Sequence, residues 1–216
     1  MARKHAILDG FASRFSGVAS SSGGRIALRE VPFSAQLDFR ANPADGRVVD
    51  SVHKALGFVL PTDPNTAATA GGRSALWLGP DEWLIVGGEG EESLLTRVLH
   101  TALGETFGSV VDVSANRTVI EVSGSAARDV LAHGCPVDLH PRDFGTGRCA
   151  QTLLAKAQVI IHQVNDAPTF HLFVRTSFAW YLAEWLLDAM TEYCAEEPIG
   201  VSVPLGGQES PSPLRG

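Results

Sequence analysis

The chain has 216 residues, 44% apolar and 19% charged, with 24 acidic against 17 basic side chains and a formal charge of −7. That size and composition supply a globular core for one large or two small domains and exclude bulk disorder. The acidic balance, with no basic run, excludes the electrostatic footprint of a nucleic-acid binder. No window reaches the roughly 20 apolar residues of a membrane helix, and the N-terminal MARKHAILDGFASRFSG lacks the apolar run of a secretory signal. Three scattered cysteines, Cys135, Cys149 and Cys194, fit a reducing compartment better than a disulfide framework, so the expected location is cytoplasmic.

Residues 1–24 end in SSSGG and show no periodicity, which reads as a flexible N-terminal arm. Ala35, Leu37 and Phe39 alternate with Gln36 and Asp38, the pattern of a half-buried strand. Asn42-Pro43 reads as the cap and first-turn proline of a helix with Val48, Val49, Val52 and Leu56 on its apolar face, stopped at Gly57. Residues 60–72 read as a loop by their proline, asparagine and glycine content. Residues 75–78 and 83–86, joined by Gly79-Pro80-Asp81-Glu82, read as a buried hairpin. A helix bearing Leu94, Leu95, Val98, Leu99, Ala102 and Leu103 and a short strand at 110–113 close the first half.

The order then repeats. Residues 118–122 read as a strand and 126–132 as a helix, with Gly134 as its left-handed cap and Pro136 forbidding continuation. A polar loop follows, then strands over 152–154, 159–164 and 170–174. Phe178, Tyr181, Leu182, Trp185, Leu186 and Ala189 form the stripe of a last helix capped by Ser177, and its aromatic face is assigned to the core. Residues 201–203 are a candidate closing strand and 206–216 a C-terminal tail. The duplicated pattern predicts an α+β fold of two ferredoxin-like βαββαβ halves, 25–113 and 114–205, with helices on one face of antiparallel sheets.

His133, Cys135, His140, Arg148 and Cys149 crowd on or beside the polar loop. Their spacing matches no zinc finger or knuckle, and Cys135 stands at a helix C-terminus, the end of the dipole that disfavours a thiolate. Asp138 and Asp143 could pair for general acid–base work, although turn formation is the simpler reading. Val86-Gly87-Gly88-Glu89-Gly90 is not GxGxxG, and Glu89, Glu91 and Glu92 would repel a pyrophosphate. There is no Walker motif and no GxSxG. The chain is accordingly assigned no catalytic, cofactor-binding or metal residue.

Several uncommon words occur in one order: GFVLPTDPN from Gly57, ALWLGPDEWLIV from Ala75, DVSANRT from Asp112, HGCPVDLHPRDFGTGRCAQTLLAKAQV from His133 and FHLFVRTSFAWYLAEWLLDA from Phe170. With these the chain resembles the gamma subunits of heterotetrameric sarcosine oxidase over about four fifths of its length. The resemblance implies a shortened relative of the folate-binding aminomethyltransferase fold, without its C-terminal barrel. It also implies a complex with alpha, beta and delta subunits that oxidatively demethylates sarcosine to glycine, yielding hydrogen peroxide and formaldehyde or methylene-tetrahydrofolate. By that resemblance FAD, FMN, NAD and the folate site belong to the larger subunits, zinc to the smallest, and tetrahydrofolate is a co-substrate of the complex. The gamma chain is then structural and holds no cofactor.

On that basis Asp138, His140, Arg142, Arg148 and Gln151 are expected to contact the larger subunits. Interfaces favour arginine over lysine, and the chain has fourteen arginines against three lysines, a bias that genomic composition explains equally well. The alternative is a free-standing folate- or pterin-binding protein that uses the cleft between its halves.

Overall fold

The computed structural model describes residues 6–194. In chain order, α1 (Ala12–Ser21), β1 (Ala27–Val31), β2 (Ala35–Ala41), α2 (Gly46–Leu56), β3 (Ala67–Ala70), β4 (Arg73–Gly79), β5 (Glu82–Gly87), α3 (Glu92–Leu103) and β6 (Gly108–Asp112) come first. Then follow β7 (Arg117–Ser123), α4 (Ala127–Ala132), β8 (Cys149–Leu154), β9 (Ala157–Asn165), β10 (Thr169–Arg175) and α5 (Ala179–Ala189). The strands form two antiparallel five-stranded sheets, ordered β3-β4-β5-β2-β6 and β1-β7-β10-β9-β8. Position by position, β6, β2, β5, β4 and β3 correspond to β1, β7, β10, β9 and β8. Each sheet is a ferredoxin-like unit with one extra edge strand, so the duplicated α+β reading holds.

The division into halves needs one correction. The fourth-strand position of the second sheet is filled by β1, which precedes the whole first sheet and pairs with β7 from Ala27↔Ser123 to Val31↔Val119. The boundary drawn between residues 113 and 114 therefore does not separate the sheets; the candidate strand at 201–203 lies outside the described residues. The arm assigned to residues 1–24 is also corrected. A 3-10 turn at Asp9–Phe11 leads into α1, and Leu8, Phe11 and Phe15 are buried in the core of the second half. The serines that read as a linker close this helix, with Ser16, Ser20, Ser21 and Ser22 hydroxyls donating to carbonyls three or four residues back.

Smaller expectations shift for local reasons. Asp45, not Asn42, caps α2, its Oδ1 accepting from the amides of Arg47 and Val48; Asn42 instead accepts from Ala44 in the turn before. Gly57 does end α2 in the left-handed conformation, at φ 85°. The loop over 60–72 contains the edge strand β3, paired with β4 from Ala67↔Leu76 to Ala70↔Arg73. Gly134 is not a left-handed cap. A Cβ there would stand 2.6 Å from Cζ2 of Trp185, so the position needs glycine for close approach. On α5 the buried residues are Ala179, Leu182, Ala183, Leu186 and Leu187, while Phe178, Trp180 and Tyr181 reach solvent. Of the expected stripe, Leu182 and Leu186 are buried and Trp185 and Ala189 pack against the core, whereas Phe178 and Tyr181 do not belong to the core face.

The two sheets stack face to face with helices outside. Leu76 and Leu84 of the first meet Val119, Cys149, Ile160 and Phe173 of the second. The outer face of the first sheet is covered by Val48 and Val52 of α2 and Leu95 and Leu99 of α3. Phe15 of α1, Val130 and Leu131 of α4 and Leu182 and Leu186 of α5 cover that of the second. Central strands are covered on both sides, which is why they read as unbroken apolar runs.

Candidate functional site

The polar loop after α4 is held from below. Leu139 and Phe144 are buried, and the Arg128 guanidinium of α4 donates to the Leu139 carbonyl, to the Phe144 carbonyl at 3.0 Å and to Gln163 Oε1 at 2.8 Å, while lying 5.2 Å from the Phe170 ring centroid. At the surface, Asp138 Oδ1 accepts from the His140 amide at 2.8 Å, and His140 Nδ1 accepts from the Arg142 amide at 3.2 Å. These two side chains shape successive turns, and Asp138, His140 and Arg142 are all exposed.

Arg148 and Gln151 lie elsewhere, at the seam between the sheets. Arg148 bridges to Thr66, Ala67 donates to the Gly147 carbonyl at 2.7 Å and Cys149 to that of Asn65 at 3.0 Å. Gln151 Nε2 donates to the Leu78 carbonyl at 2.9 Å, and Arg148 Nε is buried with no hydrogen-bond partner among the described residues. The five expected contact residues therefore fall into two groups, three on an exposed loop and two on a joint within the chain.

The thiols are poorly placed for nucleophilic work. Burial raises the Cys135 pKa, and it pushes Cys149 up to about 11, with Sγ donating to the Thr66 carbonyl at 3.2 Å. His133 Nδ1 lies 3.7 Å from Glu192 Oε1 and its ring beside Tyr193. Among the described residues no group of three His, Cys, Asp or Glu side chains could hold a metal ion.

A second concentration of chemistry lies on the inner face of the second sheet, arranged by strand register. One cross-strand row reads Cys149, His162, His171, Glu121 and Arg29. The next reads Gln151, Ile160, Phe173, Val119 and Val31, and packs against the other sheet. Beyond it Leu153 faces Gln158 and Arg117 faces Arg175. The sandwich thus has an apolar middle with a polar row at either end.

In the histidine row, Arg29 donates twice to the Glu121 carboxylate, at 2.7 and 2.6 Å, and His171 Nε2 lies 3.1 Å from it. Although burial opposes it, these bonds hold the Glu121 pKa below the usual carboxylate range. His162 is only 3% exposed; burial, then the neighbouring His171, lowers its pKa to about 4, so its imidazole is neutral at physiological pH. It lines a cavity of about 250 Å³ together with Ser34, Ser74 and Gly87. At the other end, the arginine row opens into a cleft of about 510 Å³. These groups escaped the reading of the sequence because four separate strands supply them; the visible signal was His162 and His171 each standing inside a strand run.

A model of the sarcosine oxidase gamma subunit family matches residues 40–192. The chain belongs to this family. The sarcosine oxidase subunit gamma of Corynebacterium sp. (strain P-1) is 41% identical over 180 residues, covering 83% of this chain and 86% of that one. The Arthrobacter sp. subunit gamma is 41% identical over 176 residues, covering 81% and 85%. A chain of the heterotetrameric sarcosine oxidase from Corynebacterium sp. U-96, solved in complex with pyrrole 2-carboxylate, superposes with a TM-score of 0.80 at 35% identity, over 90% of this chain and 98% of that one. Aminomethyltransferase T of the Bartonella henselae glycine cleavage system superposes at 0.59 with 14% identity, over 79% of this chain and 48% of its own, a likeness of fold alone. The gamma-family resemblance and the aminomethyltransferase-like architecture read from the sequence both stand. No helix of the described residues is long and apolar enough to cross a membrane.

Proposed function

We propose that this chain is the non-catalytic gamma subunit of a heterotetrameric, flavin-dependent sarcosine oxidase that converts sarcosine to glycine with release of hydrogen peroxide. The observation that carries the reading is the end-to-end match to a chain of the Corynebacterium sp. U-96 heterotetramer, which spans 98% of that chain. The local chemistry supports a structural role. Cys149 is a protonated thiol between two sheets, Asp138 and His140 are spent on turns, and Arg128 is spent on holding the loop.

In this reading the partners are the alpha, beta and delta subunits, FAD, FMN and NAD reside in the larger of them, tetrahydrofolate serves the complex as co-substrate, and the assembly is cytoplasmic. Asp138, His140 and Arg142 contact the larger subunits from the exposed loop, and Arg148 and Gln151 from the seam between the sheets. The test is a peroxide assay with sarcosine combined with a tetrahydrofolate titration of the isolated chain. The expected outcome is turnover by the assembled complex, none by the chain alone, and no saturable folate binding. Saturable binding by the chain alone would instead favour a free-standing folate- or pterin-binding protein.

A further inference from the structure

The arginine row ends the inner face of the second sheet on two cations that form no ion pair with a carboxylate among the described residues. Arg117 of β7 and Arg175 of β10 are register partners, which puts their Cβ atoms roughly 5 Å apart on one face. Neither forms an ion pair among the described residues, whereas Arg14, Arg29, Arg40 and Arg73 each hold a glutamate. The charge of Asp38 on β2 acts on Arg117, but the two form no ion pair among the described residues. Burial, then the charge of Arg175, lowers the pKa of Arg117, against a smaller opposing effect of Asp38. Like charges directly opposite one another weaken a sheet, so the free chain carries this pair at a cost.

The surroundings say what would relieve it. The two guanidinium groups border the cleft of about 510 Å³, whose walls also include Gln158, Phe173 and Leu153. Leu153 is 47% exposed. A planar guanidinium fork takes a carboxylate in bidentate fashion, and two forks side by side can share one. A small anion would satisfy the charges yet leave Leu153 in water, whereas a protein segment covers it. The chain as a whole is acidic, at −7, so this is a local positive spot to which only a complementary surface is drawn.

We propose that this cleft receives an acidic side chain from a larger subunit of the complex, its carboxylate bridging Arg117 and Arg175 while apolar neighbours in the same segment cover Leu153. The proposal rests on the subunit reading above and adds a specific contact to it. The test is the dissociation constant of the chain from its co-expressed partner subunits at about 0.15 M salt, for wild type, the Arg117→Gln/Arg175→Gln double variant and an Arg47→Gln control on the exposed face of α2. The double variant is expected to bind about tenfold or more weakly and to lose most of the salt dependence, with the control unchanged. Circular dichroism of the isolated variant checks that it folds; should it not, Arg175→Glu, at an exposed position, gives the same readout.

Unchanged affinity of a folded double variant, with the wild-type complex intact, would overturn this contact and leave the subunit reading standing. A wild-type chain that binds no partner would overturn both. Saturable succinate binding by the isolated wild type, lost in a double variant that still assembles normally, would assign the cleft to a small anion and overturn the proposal.

Discussion

His162 shows what one residue costs when it is buried neutral between two sheets. Its folded pKa of about 4 lies below the roughly 6.5 of an unfolded histidine, so between those values the unfolded chain binds more protons and stability rises with pH. The contribution is present in full above about pH 6.5 and is lost as pH falls toward 4, which amounts to about 2 kcal/mol between pH 7 and pH 5. Urea unfolding of wild type and His162→Leu at those two pH values is the check, the wild type losing about that much more. Gly134 makes a second residue-scale prediction. An added Cβ would stand 2.6 Å from the Trp185 ring and 3.0 Å from the Ala155 amide nitrogen, so Gly134→Ala is expected to cost about 1–3 kcal/mol in the same assay. Glycine was legible there as a helix stop, but not its reason, because the close approach of α5 and the β8–β9 turn appears only in three dimensions.

Elements differ in how openly the sequence announces them. α2, α3 and the β4–β5 hairpin were legible because an apolar stripe stopped at Gly57, a second clean apolar stripe and a Gly-Pro turn each point to one answer, although the cap of α2 is Asp45 rather than Asn42. α5 was legible as a helix but not in its orientation. Apolar residues lie on most of its sides, and Ala179 and Ala183 turn inward because small side chains let the helix sit close to the sheet, which leaves Phe178, Trp180 and Tyr181 outside. α1 was missed because glycine and serine dilute its pattern, although Phe11 and Phe15 anchor it beneath Trp180, with Phe11 and Trp180 rings 5.2 Å apart edge to face. Phe15→Ala is therefore expected to destabilise the protein by about 3–5 kcal/mol, whereas a mobile arm would tolerate it without effect; thermal unfolding distinguishes the two. β3 was hidden in a loop composition because four small residues on a sheet edge carry almost no pattern.

At the scale of the molecule, the two sheets are the same unit used twice, and the N-terminal strand β1 completes the second before the first has begun. The duplication was legible from the repeated order of elements, while the exchange of β1 was not, since local pattern says nothing about which sheet a strand joins. The same limit applies to the candidate site. The loop bearing Asp138, His140 and Arg142 stood out as a run of polar words, but the Arg117–Arg175 and His162–His171 pairs exist only through register. What unites the scales is a chain with the Cys135 and Cys149 thiols kept from ionising by burial, its Asp138 and His140 side chains committed to turns and a like-charged arginine pair at an open cleft, an arrangement suited to being held by neighbours. The most direct measurement is the native mass of the material that co-purifies with this chain when it is expressed with the candidate flavoprotein subunits. The account predicts one complex of four different chains that oxidises sarcosine with release of peroxide. A chain that elutes alone, while its intended partners assemble and turn over sarcosine without it, would contradict the account.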